Sequence, residues 1–168
     1  MSLSMYQLAV PQLVRMLGNL SSMLHKAEAH ATAKKIDPAI FINARLAPNM
    51  WSLDRQVQTV SDTSKGCVAR LSNIEIPSFE DTEKTFDELQ ERIAKTIRFI
   101  QSVPKEKMEG SENRTIQLKV PHKTFEFEGP TYLTSFVFPN FYFHLTTAYN
   151  ILRHNGVELG KQDFLGEA

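Results

Sequence analysis

Apolar side chains recur along four stretches of this chain at alternating steps of three and four, the spacing that lays a seam along one side of a helix. The first runs Tyr6, Val10, Leu13, Leu17, Leu20, Leu24, and Ala27 and Ala31 carry it on toward Thr32. The second is Leu53, Val57, Val60, Ser64, Cys67, Leu71, and the third is Phe79, Thr82, Phe86, Leu89, Ile93, Thr96 or Ile97, Ile100. The fourth is Phe138, Phe141, Leu145, Ala148, Leu152. These seams predict helices near 4–30, 52–73, 79–102 and 139–154.

Punctuation residues agree with those limits. Ser52 and Ser78 are suited to N-caps, and Glu80 and Asp81 follow Ser78 where acids favour a helix start. Pro77 and Pro104 bracket the third helix, and Glu88 and Arg92 are spaced as an i,i+4 pair on its solvent side. Gly156 is suited to a left-handed helix stop. Gly18 and Gly66 cost helix stability, a cost that close helix packing would explain. Pro139 fits a first turn, or marks a kink if the helix begins earlier, near Tyr132.

The connections are unequal. Asn73 to Ser78 is short, so the second and third helices are expected to be antiparallel neighbours. Thr32 to Trp51 is long and carries one apolar patch, Ile40-Phe41-Ile42. The third connection is longer still, and Thr115–Val120 and Lys123–Glu128 within it alternate apolar with polar around a Pro121-His122 corner. That pattern predicts a small antiparallel hairpin. The fold class is therefore all-α: a single domain over 1–168, a four-helix bundle with long crossover connections and a β-hairpin between helices three and four.

Composition narrows the function classes. Nineteen basic and nineteen acidic side chains cancel, which leaves no electrostatic footprint for nucleic acid or an anionic membrane. No stretch has the apolar length of a membrane span and no leader pattern opens the chain, so a cytoplasmic location is expected. Cys67 stands alone on a seam, where a buried inert thiol is expected. Phosphate-cradling glycine loops, nucleophile elbows and His-Glu-x-x-His or Cys-x-x-Cys motifs are all missing, so no reaction is assigned.

What stands out is the run from Phe138 to Gly156. Phe136, Phe138, Phe141, Tyr142, Phe143 and Tyr149 surround its helix, more than one core face can absorb. Some are expected on a pocket or a second subunit, and with zero net charge this predicts a homodimer. His144 and His154 are ten residues apart and cannot share one ion on a regular helix. His144 is either a site residue or a histidine hydrogen-bonded inside the bundle, and His154 a second site or a helix-end cap. His25 and His30 lie on different faces of the first helix and read as solvated.

The order of helices and connections, with Arg45-Leu-Ala-Pro-Asn-Met50, Gln56-Val-Gln, Asp62-x-x-Lys65-Gly66 and the terminal Phe-Pro-Asn-Phe-Tyr-Phe-His run ending in Gly-Lys-x-Asp-Phe-Leu, resembles the DinB/YfiT-like superfamily, in particular an uncharacterised bacterial branch. The resemblance implies a divalent metal held by one histidine of the second helix and a close pair on the last. This chain departs from that pattern. Its second helix has no histidine, and Ala148 stands one turn after His144. An altered site would draw on Gln58, Asp62 and His144 converging at one end of the bundle, with His144 and Asp62 as ligands of a weakly held zinc or nickel ion. Arg45 is a candidate anion clamp and Tyr142 a candidate pocket wall. Two functions stay open: a small-molecule-binding bundle, with a metal-dependent transferase-type site as its active form, or a non-catalytic interaction protein that dimerises through helix faces.

Overall fold

The computed structural model describes residues 3–120 and 122–166. Helix α1 (Met5–Lys34) opens on a reciprocal cap: Ser4 accepts from the Gln7 amide while the Gln7 side chain accepts from the Ser4 amide. A short α2 (Pro38–Ile42), capped by Asp37, turns Phe41 and Ile42 into the core. Helix α3 (Leu53–Leu71) is the central element, with fifteen of its nineteen residues buried. Helix α4 (Phe86–Ser102) runs back beside it, and two short 3-10 turns lead to the hairpin of β1 (Thr115–Val120) and β2 (Lys123–Glu128). The chain then forms α5 (Gly129–Thr131), a π-helical turn over Tyr132–Val137, α6 (Phe138–His154) and the small α7 (Lys161–Leu165).

The seams make the core. Leu13, Leu17, Leu20 and Leu24 of α1, Leu53, Val57, Val60 and Leu71 of α3, Leu89, Ile93 and Ile100 of α4, and Phe141, Leu145 and Leu152 of α6 are all buried in one cluster. Polar bonds fix how the helices align. Asn140 donates to Thr63 at 2.8 Å and His144 meets Gln56 at 2.7 Å, which sets α6 antiparallel to α3. Ser61 and Thr96 share a buried hydroxyl contact of 2.7 Å between α3 and α4.

Four local expectations change. Helix α4 starts at Phe86, not Phe79: Thr85 and Glu88 form its capping box, while Phe79 and Thr82 lie in the loop before it. Arg92 is buried, not paired with Glu88 in solvent. Gly18 lines an open groove toward α4 and makes no close helix contact, since a Cβ there would meet nothing within 4 Å. Gly66 makes room for its own helix: a Cβ there would lie 2.6 Å from the Arg70 guanidinium.

Pro139 stands in the first turn of α6, as one of the two alternatives had it, but helical chain also precedes it, as the other had it. Helical chain begins at Gly129, and Pro139 has no N–H to give to the preceding turn. The π-turn takes up that irregularity just ahead of it, as such bulges do. Gly129 is required where it stands, because any side chain would collide with the Ser111 carbonyl. Gly156 is left-handed (φ 89°) and ends α6 as expected. Pro121, half of the expected hairpin corner, lies outside the described residues; His122 turns with φ 74°.

Candidate functional site

His144 sits on the α3-facing side of α6 and is 8% exposed. Its Nδ1 lies 2.7 Å from Gln56 Oε1. The orientation of the Gln56 amide follows from its other end, where Nε2 donates to the Trp51 carbonyl at 3.0 Å. The carbonyl can only accept, so the amide oxygen is the end that faces the imidazole, and His144 Nδ1 carries the proton. Its Nε2 is therefore a lone pair, and no described residue hydrogen-bonds to it. The indole of Trp51 stacks on the imidazole at 5.6 Å between centroids, and Phe143 meets it edge-on at 5.1 Å. Together with Asn49 and Met50 these residues line an open pocket of about 270 Å³.

The walls are held from behind. Arg45, exposed on the connection after α2, donates to the Met50 carbonyl at 2.6 Å. Arg45 thus braces the segment that carries Trp51. Ser52 caps α3 by position, but its hydroxyl goes to Asp54.

Burial holds the His144 imidazole below its ordinary value of 6.5. The sign of the pH effect follows. Below about pH 6.5 the unfolded chain takes up a proton that the folded chain refuses, so stability present above that pH is lost as pH falls toward the depressed folded value. Thermal melts at pH 7 and pH 5 are expected to show a larger fall for the wild type than for His144→Gln. Equal falls would mean that the imidazole is not held neutral.

The other candidates lie elsewhere. Gln58 is two residues from Gln56, about 200° around the helix, and is buried against Arg55 (3.0 Å) and Glu83 (2.9 Å). Asp62 pairs with Arg92 at 2.8 Å and Lys65 at 3.1 Å. The expected convergence of Gln58 and Asp62 with His144 is therefore not what the structure builds. The central position of α3 explains it: one face meets α6, and another meets α4 and the loop before it. Tyr142 points to α1, where its hydroxyl takes a bond from Gln12. His154 is exposed at the end of α6. His25 is exposed and touches Gln90, while His30 is half-buried edge-on against Phe41. Cys67 is buried, and desolvation pushes its thiol up to about 12, so it is inert as expected.

Among the described residues no three histidine, cysteine or carboxylate side chains come together as a metal-binding group. The donor set around His144 is one imidazole lone pair beside a carboxamide already committed at both ends. It does not fit a three-ligand centre. Gln56 occupies the place on α3 where a partner for the last helix is needed, and sequence reasoning assigned that place to Gln58 and Asp62. A polar side chain three residues after Leu53 and four before Val60, within an apolar stripe, was the available signal.

A family described as a domain of unknown function, DUF1993, matches residues 5–165. The crystal structure of a DinB family member protein from Shewanella denitrificans is 41% identical and superposes with a TM-score of 0.89, covering 97% of this chain and 92% of that one. No curated protein matches.

Proposed function

For a chain that belongs to the DUF1993 family and carries a DinB-like fold, we propose a small-molecule-binding function centred on His144. The observation that supports it is the relay Trp51 carbonyl, Gln56 amide, His144 Nδ1, which leaves Nε2 as an oriented acceptor beside two half-exposed aromatic rings. Such a site suits a small heteroaromatic or phenolic molecule that stacks on Trp51 or Phe143 and donates one hydrogen to Nε2. The same lone pair is a proton acceptor near neutral pH if the ligand is to be deprotonated. Among the described residues a zinc or nickel ion would find one imidazole here and no group of three ligands, so this reading uses no metal step.

Trp51 is the single tryptophan of the chain, so its fluorescence reports the pocket alone. Titration with benzimidazole is expected to give a saturable change that His144→Ala abolishes and Gln56→Leu weakens. An unsaturable response, or one that survives in His144→Ala, would refute the proposal.

One observation favours a second reading. Trp51 and Phe143, beside each other at the pocket, are 48% and 57% exposed, and Leu46 on the same connection is 39% exposed. A second copy of the chain would cover them, which makes the pocket part of a homodimer. Light scattering at high concentration would then give twice the 19.1 kDa chain mass, and Phe143→Glu would return it to the monomer value.

A further inference from the structure

We propose that the cleft between the C-terminal end of α3 and β1 is a binding site for a small phosphorylated molecule, held by Arg70, Arg114 and Lys119. The three cations line one cleft of about 470 Å³, of the size that small ligands fill. Positive charge is concentrated there in a chain whose total charge is zero. No carboxylate among the described residues pairs with any of the three; two exposed acids, Glu126 and Glu128, share the hairpin face of Gln117 and Lys119, and Glu126 is engaged by Gln117 at 2.9 Å.

Two of the cations are fixed in place. Arg70 is half-buried and donates one guanidinium nitrogen to the Tyr132 hydroxyl at 3.1 Å. Gly66, one turn earlier, gives that guanidinium its space. Arg114 is also half-buried and donates to the Leu71 carbonyl. Each guanidinium has five donors and uses one of these bonds to hold its position, so most of the fork stays available for phosphate oxygens. Lys119, exposed on β1, supplies a third charge to the same lining.

The rest of the lining states the ligand class. Ile74, Ile76 and Ile116 give the cleft an apolar flank, and the amides of Asn73 and Gln117 add neutral donors. A dianionic head with an apolar body fits three cations beside three isoleucines better than a monocarboxylate does. The alternative for the arginines is that they only neutralise the carbonyls at the end of α3. Lys119 touches none of those carbonyls in any described bond, so its variant separates the two explanations.

Calorimetric titration at low ionic strength tests the site with phenyl phosphate, inorganic phosphate, benzoate and an acidic extended peptide. Phenyl phosphate is expected to bind best, weakening as salt is raised. Lys119→Gln is expected to weaken it about tenfold, the scale of one charge-assisted contact. Gly66→Ala is expected to weaken it as well, by pushing the Arg70 guanidinium aside while leaving the helix intact, since alanine favours helix. Circular dichroism of both variants checks that they stay folded. The proposal is overturned if wild type shows no saturable heat, if both variants bind like wild type, if benzoate equals phenyl phosphate, or if the peptide binds more tightly by adding to the free edge of β1.

Discussion

Leu17→Asp is expected to abolish cooperative folding at ambient temperature, and Leu89→Asp to do the same from the facing helix. Both leucines are fully buried in the one core cluster, on α1 and α4. Each substitution removes a buried aliphatic side chain, worth about 2–5 kcal/mol. It also places a carboxyl group where no partner exists, at a further cost of several kcal/mol. Together these approach the roughly 5–15 kcal/mol that hold a domain of this kind together. Far-UV circular dichroism on heating reads the result: wild type melts in one transition, and either variant shows none or one shifted far down. A variant that melts near the wild-type temperature would mean that its leucine is not at the seam.

Arg92→Met comes second in size. The Arg92 side chain is 1% exposed and reaches Asp62 (2.8 Å), Asp81 (3.0 Å) and Glu83 (2.9 Å), with a further bond to the Glu80 carbonyl at 3.0 Å. Burial alone would lower its pKa, yet the bond to Glu83 and the charges of Asp62 and Asp81 raise it. Removing the cation leaves Glu83, 11% exposed, with only the neutral amide of Gln58, and frees the loop before α4. Breaking one side of a buried network costs about 3–5 kcal/mol. Asp62 and Asp81 are 44% and 35% exposed and keep their water, so the lower end of that range is expected. At about 2–4 °C per kcal/mol, the melting temperature falls by roughly 6–12 °C. Asp62→Asn, half in solvent, is expected to cost under about 1 kcal/mol. Limited proteolysis gives an independent reading, with cleavage in 78–85 faster in Arg92→Met only.

The four seams were legible because the core of this bundle is built from step-three and step-four repeats, and the hairpin because its alternation is clean. The start of α4 was not. Phe79 and Thr82 continue the repeat, and Ser78 with two acids looks like a cap. The decisive pair was Thr85 with Glu88, a more complete capping box seven residues further on. Phe79 is apolar for another reason: it lies under the ammonium groups of Lys65 and Lys95, at 4.9 and 4.2 Å.

The site was half legible. His144 stood out by residue type, and a histidine hydrogen-bonded inside the bundle is what the structure contains. Its partners were misplaced because α3 is buried on nearly every side. A one-seam reading sorts such a helix into inside and outside, and so treats Gln58 and Asp62 as neighbours of whichever polar group comes next. The Arg92 network was hidden for a similar reason. An arginine four residues after a glutamate suggests a surface pair, and nothing local to Arg92 announces acids from the preceding loop.

Helix α7 is small, but its bonds span much of the chain. Lys26 reaches Asp163 at 2.5 Å, Asn19 reaches the Phe164 carbonyl at 2.9 Å, and Arg15 reaches the Leu165 carbonyl at 2.8 Å. The bond from that lysine, and then the one from the Gly160 amide, hold the Asp163 carboxyl below the usual range against a smaller effect of desolvation. The outer flank of α1 is covered only when residues 161–165 pack on it, across 137 to 150 residues of chain. Closing so long a loop is slow, and the closure entropy is repaid only at that last contact. The bundle can collapse around its seams earlier, so the α7 clasp completes the cover of α1 after the core has formed.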